Sequence, residues 1–166
     1  MDRASQDGPG RRPLGVNARQ GWSGRARAGQ GAGQRIWELL AASAITPVRL
    51  APAEDLRLPE FGCGLTDVVG RATPGAGDLS PAELRDGGAL VRARLAEARP
   101  AVAAYTGKGV YRAIAGAGAV GYGLQPTQAV TGVRDFLLPS PSGRSGLPWV
   151  EKLAWYRGLA QLLGRD

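Results

Sequence analysis

The chain has 166 residues, is 43% hydrophobic and carries a formal net charge of +7, enough for one domain with a buried core. No apolar run approaches the ~20 residues a membrane helix needs, and no apolar leader opens the chain, so a cytoplasmic protein without membrane association is expected. Histidine is absent and Cys63 is the single cysteine, which excludes an internal disulfide, paired-cysteine zinc sites and Ser–His or Cys–His nucleophiles. Polar chemistry must come from carboxylates, amides, hydroxyls, Lys or Arg and backbone groups, with no metal or cofactor expected.

In chain order, residues 1–33 are rich in Gly, Arg, Gln and Ser, and carry six arginines against Asp2 and Asp7. Such a segment buries too little to offset its ordering entropy. A disordered basic tail is expected over 1–12 and a loop over 13–33, with one domain spanning 13–166. From Gln34 the pattern changes: Ile36, Leu39, Leu40 and Ser43 have helical spacing, closed by Pro47. Leu65–Val69 reads as a strand. Ser80-Pro81-Ala82-Glu83 is a helix start, with Ser as N-cap, Pro in the first turn and Glu closing a capping box. That helix turns Leu84, Gly88, Val91, Leu95 and Ala98 to one side and stops at Pro100. Ala101–Thr106 is a buried strand, Gly107–Gly109 a turn, Val110–Ala115 a short helix and 116–132 a Gly-rich connection. Val133–Leu138 is a strand, Pro139–Gly146 a loop, and Trp149, Leu153, Tyr156, Ala160 and Leu163 mark a last amphipathic helix. Alternating strands and helices give an α/β fold of three layers, α/β/α, around a short, mainly parallel sheet. Functional loops then belong at the carboxyl ends of the strands.

Three blocks of sequence carry a family resemblance. Gly62–Gly88 (GCGLTDVVGRATPGAGDLSPAELRDGG) contains Gly-x-Thr-x-x-Val-x-Arg-x-Thr ahead of an acidic Leu-Ser segment and a helix. Arg99–Tyr111 (RPAVAAYTGKGVY) is a strand ending in Gly-Lys before a helix. Gly121–Gly146 (GYGLQPTQAVTGVRDFLLPSPSGRSG) holds a Gly-x-Gln-Pro stretch and a Pro-Ser-Pro-Ser-Gly loop. In order and spacing they resemble the mismatch-specific branch of the uracil-DNA glycosylase superfamily, which includes the thymine-DNA glycosylases. The departures gather before Gln34. Gly15-Val16-Asn17-Ala18-Arg19 stands where that family has Gly-Ile-Asn-Pro-Gly, and Gly33-Gln34-Arg35-Ile36-Trp37 where it has Gly-Asn-Arg-Phe-Trp. Arg11-Arg12-Pro13-Leu14-Gly15-Val16 offers few apolar side chains for the family's first strand, so a poorly seated strand is expected.

The resemblance implies a monofunctional glycosylase that hydrolyses the N-glycosidic bond of uracil, or of thymine, in G·U or G·T mispairs of double-stranded DNA. Such an enzyme is expected to act as a monomer, without metal or cofactor. It assigns water positioning to Asn17, which otherwise reads as an ordinary loop asparagine. Asp67 is the candidate helper, and the alternative is a carboxylate paired with Arg71. Ser140, Pro141, Ser142, Gly143 and Arg144 resemble the family's wedge, which enters the minor groove at the flipped nucleotide; the plain alternative is a strand-to-helix turn of usual composition. Thr66, Gly107 and Lys108 would line the pocket or phosphate track, Lys108 reading equally as a solvated turn lysine. Trp149, Trp155 and Tyr156 read as core or helix-surface aromatics, and Cys63 as a small buried hydrophobe. A catalytically impaired DNA-binding relative, or the product of an interrupted gene, is the alternative to a working enzyme.

Overall fold

The computed structural model describes residues 14–20, 32–69, 80–116, 121–143 and 146–165, with backbone alone for 14–20, 32–34 and 67–69. The tail expected over 1–12 lies outside the described residues. Five strands form one sheet: β1 (Leu14–Gln20), β2 (Cys63–Val69), β3 (Val102–Thr106), β4 (Gly123–Leu124) and β5 (Arg134–Leu138). Their order is β2-β1-β3-β5-β4, parallel throughout except for the antiparallel edge pair β4–β5. Four helices flank it: α1 (Ala32–Ala42), α2 (Pro81–Ala98), α3 (Lys108–Ala115) and α4 (Trp149–Leu162), with a 3₁₀ segment at Pro52–Phe61. No helix among the described residues is long and apolar enough to cross a membrane.

Side chains alternate across a strand, so each central strand feeds two cores. Val102, Ala104, Phe136 and Leu138 face α1 and α4, where they meet Ile36, Leu39, Leu40, Tyr156 and Leu159. Ala103, Tyr105 and Leu137 face the other way, onto Val91 and Leu95 of α2 and Val110, Tyr111 and Ile114 of α3. Each of the Val, Leu, Ile and Phe side chains among them, once fully buried, contributes about 2 kcal/mol. The expected three layers are therefore present, with a core on either side of the sheet.

Local rules set the helix ends. Ser80 Oγ accepts from Glu83 N at 3.1 Å while Glu83 Oε2 accepts from Ser80 N at 2.8 Å, the reciprocal box expected at the start of α2. Gly88 lets α2 lie directly on α3: a Cβ there would sit 2.7 Å from the Ala113 carbonyl oxygen. Arg92 then donates to the Ile114 carbonyl at 2.6 Å, satisfying an end of α3. Two expectations along this stretch shift. The Gly-rich connection contains the short edge strand β4, and α3 begins at Lys108, directly after Gly107.

The main correction concerns Leu14–Gln20, within the loop expected over 13–33, of which residues 13 and 21–31 lie outside the described residues. In place of a loop or a poorly seated strand, Leu14–Gln20 forms β1 in the interior of the sheet. It pairs with β2 through Leu14↔Cys63, Gly15↔Gly64, Val16↔Leu65 and Asn17↔Thr66, and with β3 through Gly15↔Ala103, Val16↔Ala104 and Asn17↔Tyr105. The physical reason is the ladder. A slot between two parallel strands satisfies backbone donors and acceptors on both edges whatever side chains the strand brings, and pairing overrides weak local propensity.

Candidate active site

The strand order creates a switch point. From β1 the chain moves to β2 on one side; from β2 it crosses to β3 on the other. In open α/β sheets the crevice between two strands whose connections diverge in this way, at their carboxyl ends, takes the ligand. Here that crevice lies between β1 and β3. Asn17 is the last β1 residue paired with both neighbours, in register with Thr66 on β2 and Tyr105 on β3. Directly beyond it the β1–β2 ladder becomes irregular: Arg19 pairs with Asp67 and Gln20 with Val69, with register shifts on both sides of Arg19. Bulges of this kind commonly mark active sites, because they re-aim the chain and end regular pairing.

The expected site residues gather around that point. Thr66 is half-buried and its hydroxyl accepts a hydrogen bond from Arg94 Nη1 at 2.8 Å, so α2 reaches over the β2 side of the crevice. Asp67 follows it in β2; its side chain, and the Arg71 that was its alternative partner, lie outside what is described. Gly107, directly after β3 and capping α3, has φ 118°, a conformation that strains any residue with a Cβ. Its amide donates to the Leu138 carbonyl at 3.0 Å, tying the start of α3 to the end of β5. Lys108 is exposed on the first turn of α3, its ammonium 5.0 Å from the centre of the Tyr122 ring. Tyr122 in turn packs on Trp155, centroids 5.8 Å apart.

The loop after β5 is held from below. Ser140 Oγ accepts from the Ser142 amide at 3.2 Å, a local turn that fixes Pro141 between them. Tyr156, buried on α4, donates its hydroxyl to the Pro139 carbonyl at 3.1 Å. Lys152, only 3% exposed, donates to the Ser142 carbonyl at 2.6 Å. Burial pushes the Lys152 ammonium below the usual lysine range, and the neighbouring Arg35 charge pushes it the same way. Gly143 is exposed, and Arg144 lies outside the described residues. The structure thus brings Asn17, Thr66, Gly107, Lys108 and Ser140–Gly143 to the carboxyl ends of adjacent strands, which in a sheet lie ~4.8 Å apart.

Several residues that carry this arrangement were not singled out from sequence. Lys152 braces the loop, together with Tyr156, which the sequence marks only as an aromatic of the last helix; Lys152 itself reads in sequence as a polar position beside that helix's apolar stripe. Asp135, 0% exposed in β5, accepts from the Tyr105 hydroxyl at 3.1 Å, the Tyr111 hydroxyl at 3.1 Å and the Ala129 amide at 2.8 Å. Desolvation raises its carboxyl above the usual range, and the three donors pull the other way. Gln125 donates to the Gly121 and Gly123 carbonyls at 2.6 and 3.0 Å and so shapes the chain leading to β4. Tyr156 belongs to the core, Trp149 and Trp155 are each 38% exposed on α4, and Cys63 is buried, as expected of each. No group of three or more metal-ligating His, Cys, Asp or Glu side chains occurs among the described residues.

The fold is that of an α/β protein with a crevice at the carboxyl edge of a parallel sheet, beside a stiffened Pro-Ser-Gly loop. A sequence profile of the Uracil DNA glycosylase superfamily matches residues 8–158, and the chain belongs to that superfamily. Its members are DNA glycosylases, hydrolases of base excision repair that act on DNA.

Proposed function

We propose that this chain is a mismatch-specific glycosylase, removing uracil from G·U mispairs in double-stranded DNA and leaving an abasic site. The observation that carries this reading is the seat of Asn17, at the switch point between β1 and β3 and in register with Thr66. The lesion nucleotide leaves the stack, at an energy of a few kcal/mol that a mispair lowers. The bond between C1′ of the sugar and N1 of the base then breaks, its electron pair leaving with the base. Asn17 holds the water whose oxygen adds to C1′, and Asp67, the neighbour of Thr66 in β2, takes up the proton that this water releases. Backbone donors fixed at the strand ends stabilise charge on the departing pyrimidine. Ser140, Pro141, Ser142, Gly143 and Arg144 act as the wedge that fills the vacated stack, with Lys152 and Tyr156 keeping the loop in shape. Thr66, Gly107 and Lys108 line the approach.

The test is single-turnover cleavage of G·U, G·T and A·U duplexes, with free base and abasic product both measured. G·U is expected to react fastest, with base and abasic site in equal amounts, and Asn17→Ala to slow it by on the order of a hundredfold while affinity holds within a few-fold. Tight binding of G·U duplex without product favours a second reading, a DNA-binding relative with impaired chemistry. The observation on its side is Ala18-Arg19 in place of the family's Pro-Gly directly after Asn17.

A further inference from the structure

The loop after β5 rests on two cations that have no acidic partner among the described residues. Lys152 lies beneath it, with its ammonium on the Ser142 carbonyl. Arg35, from the start of α1, lies against its tip: a Cβ on Gly143 would sit 2.9 Å from Arg35 Nη1 and 3.2 Å from Cζ. The Arg35 charge is also close enough to act on Lys152. Ion pairs among the described residues are Arg49–Glu38, Arg57–Glu54 and Arg57–Glu60, so neither Arg35 nor Lys152 is neutralised there.

Holding one buried ammonium beside a second cation is unfavourable in the free protein, because each loses hydration and they repel. A protein keeps such a pair where the counter-charge arrives with the ligand. The loop they support is the one assigned above to the DNA, whose backbone offers a phosphate every few ångströms. A guanidinium presents planar, paired donors that match phosphate oxygens. The absent Cβ of Gly143 leaves Arg35 flush with the loop surface.

We infer that Arg35 and Lys152, together with the backbone at Ser142–Gly143, form a binding site for one phosphate of the DNA strand carrying the lesion. Arg35 contacts the phosphate, and Lys152 is a positioning residue that holds Ser142 and adds its charge from below. The site rests on the glycosylase reading and deepens it: phosphate capture neutralises the pair at the moment the loop enters the duplex, so insertion is tied to correct register on the backbone.

The experiment is a methylphosphonate scan, each duplex having one phosphate near the G·U pair made neutral and a 2′-fluorinated deoxyuridine to block cleavage during binding. In the wild-type protein one position is expected to weaken binding about five- to tenfold. In Arg35→Gln that position should have no further effect, and the slope of log affinity against log salt should fall by about one unit. Gly143→Ala, which displaces the guanidinium, should behave like Arg35→Gln. Lys152→Met should reduce the effect of the same position, with circular dichroism and melting reporting whether the fold is kept. Cleavage of an unmodified G·U duplex is read in parallel. Coupling without cleavage supports the phosphate site and sinks the glycosylase reading. Cleavage with every neutral position acting alike on wild type and Arg35→Gln overturns the site. Neither coupling nor cleavage overturns both.

Discussion

Asp135→Leu tests whether the buried carboxylate on β5 is a hub of the fold. The substitution takes away an acceptor shared by the Tyr105 hydroxyl, the Tyr111 hydroxyl and the Ala129 amide. Tyr111 has a second partner in Thr127 Oγ1 at 3.4 Å and can turn to it. Tyr105 and Ala129 are left as buried donors, at about 1–3 kcal/mol each. Relief of the desolvated carboxylate and the added apolar burial offset part of that, leaving a net loss of about 3 kcal/mol. For a chain of this size that is a fall in Tm of roughly 10 °C. Asp135→Asn keeps one oxygen for Ala129 and lets its amide donate to the Tyr105 oxygen, so it should lose only about 1 kcal/mol. The two variants also differ in pH dependence. Because the carboxyl is raised in the folded state, the native protein binds its proton more tightly than the unfolded chain. Wild-type stability must then fall as pH climbs from about 4, the unfolded value, through the higher native value. The Asn variant lacks this term, so its deficit should shrink between pH 4 and 7. Urea melts of the three proteins across that range supply the measurement. A Leu variant as stable as wild type, or an Asn variant that falls as far as Leu, would refute the reasoning.

Three further outcomes are expected. Gly88→Ala should lower stability by about 2 kcal/mol or more in a thermal melt, because its Cβ meets the backbone carbonyl of Ala113 at 2.7 Å and one helix must move. Cys63, buried and with its thiol pushed up by desolvation despite a hydrogen bond from Arg165, should resist a thiol reagent in the native protein and react fully in denaturant. With no histidine and one cysteine in the chain, cleavage of a G·U duplex should be unchanged by EDTA; loss of activity that magnesium or zinc restores would count against the metal-free reaction.

What could be read from sequence was whatever local chemistry decides. Ser80, Pro81 and Glu83 announce α2 through contacts within four residues. Ile36, Leu39, Leu40 and Ser43 announce α1 because a one-sided stripe has few other uses. The apolar runs of β3 and β5 mark strands buried on both faces. β1 escaped because its stability lies in a ladder to strands far away in the chain, and its two large apolar side chains, Leu14 and Val16, among Gly, Asn, Ala, Arg and Gln give no hint of it. β4 is two residues long, below any periodic signal. For the candidate site, family motifs point to Asn17, Thr66 and the Ser140–Gly143 loop. The parts that hold them were not legible: Lys152 and Asp135 are charged residues in places where charge normally faces solvent, and Arg35 acts through a glycine on a different element.

The sheet order also dictates the sequence of events by which the domain is made. A strand near residue 15 finds its partners near residues 65 and 104, so β1 is synthesised before either of the strands that enclose it. Contacts this distant in the chain are closed late, against loop entropy, and until β3 exists β1 has an open edge. β2, at the end of the sheet, pairs with β1 alone among the described strands, and so it too waits. The piece that can assemble without them is β3, α3, β4 and β5, consecutive in the chain, with β5 paired to both β3 and β4. The strand that carries Asn17 is therefore expected to enter a sheet already half built, so that the crevice forms only with that insertion, which would tie the appearance of the candidate site to completion of the fold.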